Sequence, residues 1–306
     1  MLDWARLAEA WTPPAGWRRV QVVDAHTAGE PLRVVLSGFG DLRGDTIGAL
    51  RRDAKARFDG LRRALMWEPR GHADMYGCIV VPAPTADGDL GVLFTHNEGF
   101  STMCGHGIVG VGAVIAELGL VPGAGEGRPV RIDTPAGRVE ARVRRATGRP
   151  TEVTFVNVPS FTVGLDREVV VPGFGPVRCD IAFGGAFYAF VDAGSVGLAL
   201  EPRELGRIIE LGRAVKAAVR AVGEPPHPDD PDLGFLYGTI FTGPAVDPAH
   251  HSRNVCVFAD GEVDRSPTGT GVCARLALHH ARGEVREGQE ITIESILGTT
   301  FRGRVL

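Results

Sequence analysis

Two short stretches carry the residue types that could do chemistry. In Met103-Cys104-Gly105-His106-Gly107-Ile108-Val109-Gly110 a thiol stands beside a pair of spaced glycines, and an apolar segment continues to Leu118. In Pro267-Thr268-Gly269-Thr270-Gly271-Val272-Cys273-Ala274 the layout returns, with a hydroxyl where the thiol stood. Each reads as a loop opening a buried helix, and the first places Cys104 in the opening turn. A thiol there has two reasons to ionise. A helix N-terminus carries roughly half a positive charge, and its unpaired N–H groups can bond a thiolate and lower its pKa. From the first stretch alone, a small buried core cysteine is an equal explanation. The second copy separates the two readings. A hairpin pattern follows each copy, at 130–134 with 139–143 and at 291–295 with 301–305, so the chain holds an internal repeat and implies two similar domains. Two such helix starts facing each other across the junction would form one anion site, with Cys104 and Thr268 on opposite sides.

Competing chemistries are weaker. Gly105-x-Gly107-x-x-Gly110 matches the dinucleotide fingerprint and Gly269-x-Gly271-x-x-Ala274 its relaxed form. That fingerprint should follow a strand directly and be answered by an acidic residue about 20 positions on. Here a polar loop, 95–102, intervenes, and the answering position falls in a Gly/Pro-rich loop near Gly125. What survives is the physical part: glycines let backbone N–H groups approach an anion, and a carboxylate fits as well as a phosphate. Cys104-x-His106 offers a metal two ligands, and His250-His251 with Cys256 no convincing set, so no metal or other cofactor is expected.

The totals narrow the class further. A chain of 306 residues accommodates two domains of ordinary size. A net charge of −4 gives no pull toward nucleic acid or an anionic membrane, and the arginines are dispersed, with lysine only at Lys55 and Lys216. Five cysteines without a CxxC point to reduced thiols and a cytoplasmic location. No run approaches the roughly 18 apolar residues of a membrane span, and residues 1–17 lack a signal peptide's pattern and suggest a short surface helix.

The remaining elements must position the two motifs. Strands are expected at 20–24 and 32–37 around the turn His26-Thr27-Ala28-Gly29-Glu30-Pro31. Residues 45–66 form an amphipathic surface helix whose Arg51-Arg52 and Arg62-Arg63 pairs should be solvated. The polar turn 68–76 reads equally as a site or as ordinary ion pairing. A strand follows at 77–82. A strand at 152–159 should cross between the domains, and the second half begins near Ser160. It holds two strands within 178–190, a helix over 202–222, an acidic Pro-rich loop with His227, and strands at 235–242 and 254–258. Ser266 should cap the second motif's helix, with Pro267 at its first position. Cys256 and Cys273 are expected in the core.

With Asp264, these motifs resemble the proline racemase family, whose fold is shared with diaminopimelate epimerase. His26 to Pro31 is similar to that family's His-Thr-Gly-Gly-Glu-Pro, with Ala28 for one glycine. Pro69-Arg70-Gly71-His72, Met103 to His106, Gly184-Gly185-Ala186-Phe187-Tyr188 and Asp264 to Gly271 are similar to further blocks, in the family's order. The resemblance implies an α+β fold of two pseudo-symmetric domains, 1–158 and 159–306, each a curved sheet or barrel around a central helix, with the active site at their junction. In the family's racemases and epimerases two cysteines flank the α-carbon, and the second aligns with Thr268. A threonine hydroxyl is too weak an acid to mirror a thiol, so symmetric racemisation should fail. One thiolate suffices if the carbanion can expel a C3 hydroxyl. The expected function is therefore dehydration of trans-3-hydroxy-L-proline to Δ1-pyrroline-2-carboxylate without a cofactor. Cys104 would be the base, Thr268 would stand on the opposite face, the N–H groups of Gly105, His106, Gly269 and Thr270 would hold the carboxylate, and Asp264 with His106 the ring amine. A hydroxyproline epimerase or proline racemase-like isomerase, and an inactive binder of proline-like acids, are the alternatives. Family members usually continue beyond the position of Leu306. After residue 305 the second half has no match for the strand at 153–158, so an unpaired edge, or completion by a second subunit in a homodimer, is expected.

Overall fold

In the computed structural model, which describes residues 3–145 and 151–306, the strands fall into two sheets of one design. After a short surface helix α1 (Trp4–Ala10), the first sheet is hydrogen-bonded in chain order. It comprises β1 (Gln21–Thr27), β2 (Glu30–Ser37), β3 (Gly77–Val81), β4 (Leu90–Thr95), β5 (Glu126–Thr134), β6 (Gly137–Arg144) and β7 (Glu152–Val156). The second comprises β8 (Phe161–Val171), β9 (Gly175–Phe183), β10 (Phe187–Asp192), β11 (Leu236–Gly243) and β12 (Ser252–Phe258), with the short β13 (Glu262–Val263) folded back on β12. Beyond β12 lie β14 (Glu290–Glu294) and β15 (Thr300–Arg304).

Most neighbours are antiparallel, but β2–β3 and β4–β5 are parallel, as are β10–β11 and β12–β14. A parallel pair needs a long crossover. Helices supply all four: α2 (Ile47–Met66), α3 (Gly105–Leu118), α4 (Leu205–Val222) and α5 (Gly269–Ala281). The sequence repeat is this pair of strand–helix–strand units, present once in each half.

Helices α3 and α5 are the central ones. α3 packs on β1 and β2 near one edge of its sheet and on β6 and β7 at the other. α5 likewise meets β8, β9 and β10 as well as β15. A sheet reaches one helix with both edges only by curling around it. That enclosure is why α3 is apolar on nearly every face, with Ile108, Val111, Val114 and Ile115 all buried. α2 and α4 are amphipathic instead. α2 buries Leu50, Ala54, Leu65 and Met66, and α4 buries Ile208, Leu211, Val215 and Val219.

Three expectations are corrected. Arg62 is not solvated: it is 3 % exposed, and its guanidinium donates to Asp59 (2.6 Å) and to the carbonyls of His96 and Asn97 (2.7 Å each). Arg51 donates to the Phe100 carbonyl at 2.8 Å, so only Arg52 and Arg63 of the two pairs point outward. β8 was not anticipated, because its pairing with β9 slips at Thr162/Gly164 and Gly164/Arg167 and Asp166 takes φ 51°, which breaks the alternation a regular strand would show. Residues 152–156 pair with β6 as the last strand of the first sheet, and the chain passes to the second sheet after them. β15, the counterpart of β6, has no further strand beside it among the described residues, and its Phe301 packs on Val272, Leu276, Ile291 and Ile293. Among the described residues no helix is long and apolar enough to cross a membrane.

Candidate active site at the meeting of two helix starts

The N-termini of α3 and α5 touch through glycine. A Cβ on Gly105 would lie 2.5 Å from the Gly269 Cα, and one on Gly269 would lie 2.6 Å from the Gly105 Cα. Any side chain at either position would force the helices apart. The first N–H groups of each helix have no intrahelical acceptor. The first internal bonds are Ile108 N–H to the Cys104 carbonyl and Val272 N–H to the Thr268 carbonyl.

Cys104 is the N-cap of α3, one position before the turn where the sequence pattern put it. Its Sγ accepts the Gly107 N–H at 3.3 Å. Thr268 caps α5 with φ 65° and ψ 95°, a left-handed conformation rare for a β-branched residue, and its side chain makes no capping bond. The helix cannot begin until that backbone has turned, so Ser266 and Pro267 lie outside it, contrary to the cap expected from the sequence. Ser266 instead accepts the Thr268 N–H on Oγ (3.1 Å), and Asp264 accepts the Ser266 N–H on Oδ1 (2.7 Å), a two-step relay that fixes the turn.

The structure brings Cys104, Gly105, His106, Asp264, Thr268, Gly269 and Thr270 to the lining of one narrow pocket. Met103, Tyr76, Tyr188, Tyr237 and Phe258 complete its wall, and all of these residues are buried. A larger hollow beside β2 and β3 is lined mainly by backbone and apolar groups and holds no nucleophile opposed to a base. Among the described residues no group of three or more His, Cys, Asp or Glu side chains could hold a metal.

Burial dominates the electrostatics. It pushes the Cys104 thiol well above its usual range; the Gly107 N–H opposes the rise, and the Asp264 and Glu30 carboxylates add to it. In the empty site the helix start therefore does not win, against the sequence expectation. His106 Nδ1 lies 3.1 Å from Cys104 Sγ and 3.9 Å from Asp264 Oδ2, and burial drops its pKa to about 3, so the imidazole is neutral. Burial lifts Asp264 to about 6. Behind it, Glu30 is pushed well up by burial and by the Asp264 charge, while its Oε2 accepts the Arg265 N–H at 2.7 Å. Glu262 is likewise raised by burial and accepts the Asn97 N–H at 2.7 Å. The polar turn 68–76 joins this region, as Asp74 meets both Arg265 and the Val263 N–H at 3.4 Å.

The sequence reading missed the tyrosines. The chain has three, and all of them line this pocket. Tyr188 Oη is 2.7 Å from Thr270 Oγ1, whereas the hydroxyls of Tyr76, Tyr237 and Thr268 are buried without a hydrogen-bond partner. Tyr76 ended the polar turn and Tyr188 closed the block at 184–188, so both stood in noted stretches; Tyr237 had no local signal.

This scaffold defines a class of protein: a pseudo-symmetric α+β chain that converges two helix N-termini on one buried, thiol-bearing pocket. The chain belongs to the proline racemase family, whose signature matches residues 22–306. It is 46% identical over 301 residues to a trans-3-hydroxy-L-proline dehydratase of Colwellia psychrerythraea, covering 97% of this chain and 85% of that protein. It is 45% identical over 289 residues to a 3-hydroxyproline 2-epimerase of Burkholderia multivorans, covering 94% and 86%. A crystal structure of a hydroxyproline epimerase from Agrobacterium vitis with bound trans-4-hydroxy-L-proline superimposes with a TM-score of 0.87 at 31% identity, covering 92% of this chain and 83% of that one.

Proposed function

We propose that the chain dehydrates trans-3-hydroxy-L-proline to Δ1-pyrroline-2-carboxylate. The observation that carries the reading is the asymmetry of the pocket: a thiol caps one helix start and a threonine caps the other. The resemblance to the Colwellia dehydratase points the same way.

In this reading the substrate carboxylate lies where the two helices meet, held by the N–H groups of Gly105, His106, Gly269 and Thr270. The ring ammonium faces Asp264 and the neutral His106. Its charge counters the burial and the carboxylates that keep Cys104 protonated, so bound substrate favours the thiolate. Cys104 then removes the α-proton, and the N–H donors stabilise the charge that develops on the carboxylate. The electron pair forms the Cα–C3 double bond and expels the hydroxyl, which takes up a proton from a donor in the pocket and leaves as water. The enamine that results tautomerises to the cyclic imine. Every electron is accounted for without a cofactor. Residues 1–158 and 159–306 serve as the two lobes. A cytoplasmic location, supported by five free cysteines, and a homodimer, tested by light scattering on the purified protein, are part of the proposal.

A 3-hydroxyproline epimerase is the second reading, favoured by the Burkholderia relative. It needs an acid on the Thr268 face to return a proton. Incubation with trans-3-hydroxy-L-proline, beside trans-4-hydroxy-L-proline and L-proline, decides between them. Imine from the first substrate alone supports the dehydratase; inversion at the α-carbon without imine replaces it with the epimerase. Cys104→Ser should abolish either activity in a folded protein.

A further inference from the structure

Resting on the dehydratase reading, we infer that Tyr76 donates the hydrogen bond, and then the proton, that lets the substrate's 3-hydroxyl depart. In trans-3-hydroxy-L-proline the hydroxyl is trans to the carboxylate. It therefore shares a ring face with the α-hydrogen. The group that leaves and the proton that is abstracted are both on the face turned to Cys104. Thr268, on the opposite wall, cannot reach the departing oxygen.

The Cys104 wall belongs to the first half of the chain, and Tyr76 is part of it, directly before β3. Its ring stands edge-on to His106 at 4.7 Å between centroids. Its hydroxyl lies beside the Cys104 thiol and makes no well-formed hydrogen bond to it or to any other described group. A buried hydroxyl without a partner is destabilising, and a ligand oxygen would satisfy it. His106, the other polar side chain on this wall, is a poor proton donor because burial keeps it neutral. Burial also keeps the Tyr76 phenol protonated. Tyr237, whose hydroxyl also lacks a well-formed bond, comes from β11 in the second half and brings that hydroxyl close to the Tyr76 hydroxyl, so it is the competing donor.

The step balances. The Cα–H bond breaks and an S–H bond forms on Cys104. The C3–O bond breaks with its electron pair on oxygen, and that oxygen takes the phenolic proton and leaves as water. The phenolate then recovers a proton from the adjacent thiol, which restores the thiolate.

The test uses Tyr76→Phe, which removes one hydroxyl and keeps the ring, and pairs two substrates on the whole enzyme. With trans-3-hydroxy-L-proline, kcat should fall by about 10²-fold or more, the usual contribution of a positioned acid. With trans-3-chloro-L-proline, whose chloride departs without a proton, the variant should stay within about threefold of wild type. Equal losses on both substrates would assign Tyr76 a structural role and overturn the inference, as would an unimpaired variant. A selective loss in Tyr237→Phe instead would move the donor to the other half, also against it. If the wild-type enzyme inverts the hydroxy substrate and releases no imine, the dehydratase reading itself fails and takes this role with it.

Discussion

Thr268 is where residue chemistry and backbone conformation meet. Its φ of 65° is unfavourable for any side chain with a Cβ, and the relay from Asp264 through Ser266 holds it there. The backbone therefore fixes whatever side chain occupies this position of the pocket, which the proposed reading sets opposite Cys104. Thr268→Cys should supply the missing second acid. The variant is expected to exchange and invert the α-hydrogen of L-proline or trans-4-hydroxy-L-proline in deuterated water, while dehydration weakens; retention of configuration throughout would refute the opposed geometry. Asp264 gives a stability prediction. Its pKa is about 6 in the folded chain against an ordinary 3.8. Between those values the native state holds a proton that the unfolded state has released, so stability falls as pH rises through the window. Asp264→Asn removes this titration. Relative to wild type, the variant should gain roughly 3 kcal/mol between acid and neutral pH, measured by denaturant unfolding; a pH-independent difference would show that Asp264 is already ionised in the fold.

At the scale of elements, the site depends on how closely two helices begin. Gly105→Ala places a methyl group on the partner helix's backbone, not on a side chain that could move aside. The helix starts must separate, so kcat/KM is expected to fall by about 10²-fold and the melting temperature to drop by several degrees. An active alanine variant would mean the contact is looser than the structure has it. These helix starts were legible in the sequence because their signal is local: a polar residue, spaced glycines and an apolar run all lie within eight positions. The tyrosines were not, since Tyr76, Tyr188 and Tyr237 become neighbours only when two sheets and the turn before β3 come together. Arg62 misled for a related reason. Its place among charged residues on an amphipathic helix suggests solvent, yet the carbonyls of His96 and Asn97 close over it from 34 and 35 positions away. The ionisation of Cys104 was misjudged because the helix start is visible in the sequence while the sealing of the pocket, and the carboxylates of Glu30 and Asp264 within range, are not.

For the whole molecule, the decisive property is that every group lining the pocket is buried. Substrate entry is therefore expected to need movement of the pocket wall. Alkylation of Cys104 by iodoacetamide, followed by peptide mass mapping, should therefore report opening, and L-proline at about ten times its Kd should slow it about tenfold. Protection that fails to appear while proline is demonstrably bound would mean that Cys104 is reached by another route.

The same lining has a genetic consequence. In the proposed reading the base, the amine partner and both helix starts come from a single chain. Each subunit of an oligomer should then carry these groups of its own site. Two inactive alleles, Cys104→Ser and Asp264→Asn, should therefore fail to complement when expressed together, and activity in the mixture would reveal that the halves are exchanged between chains.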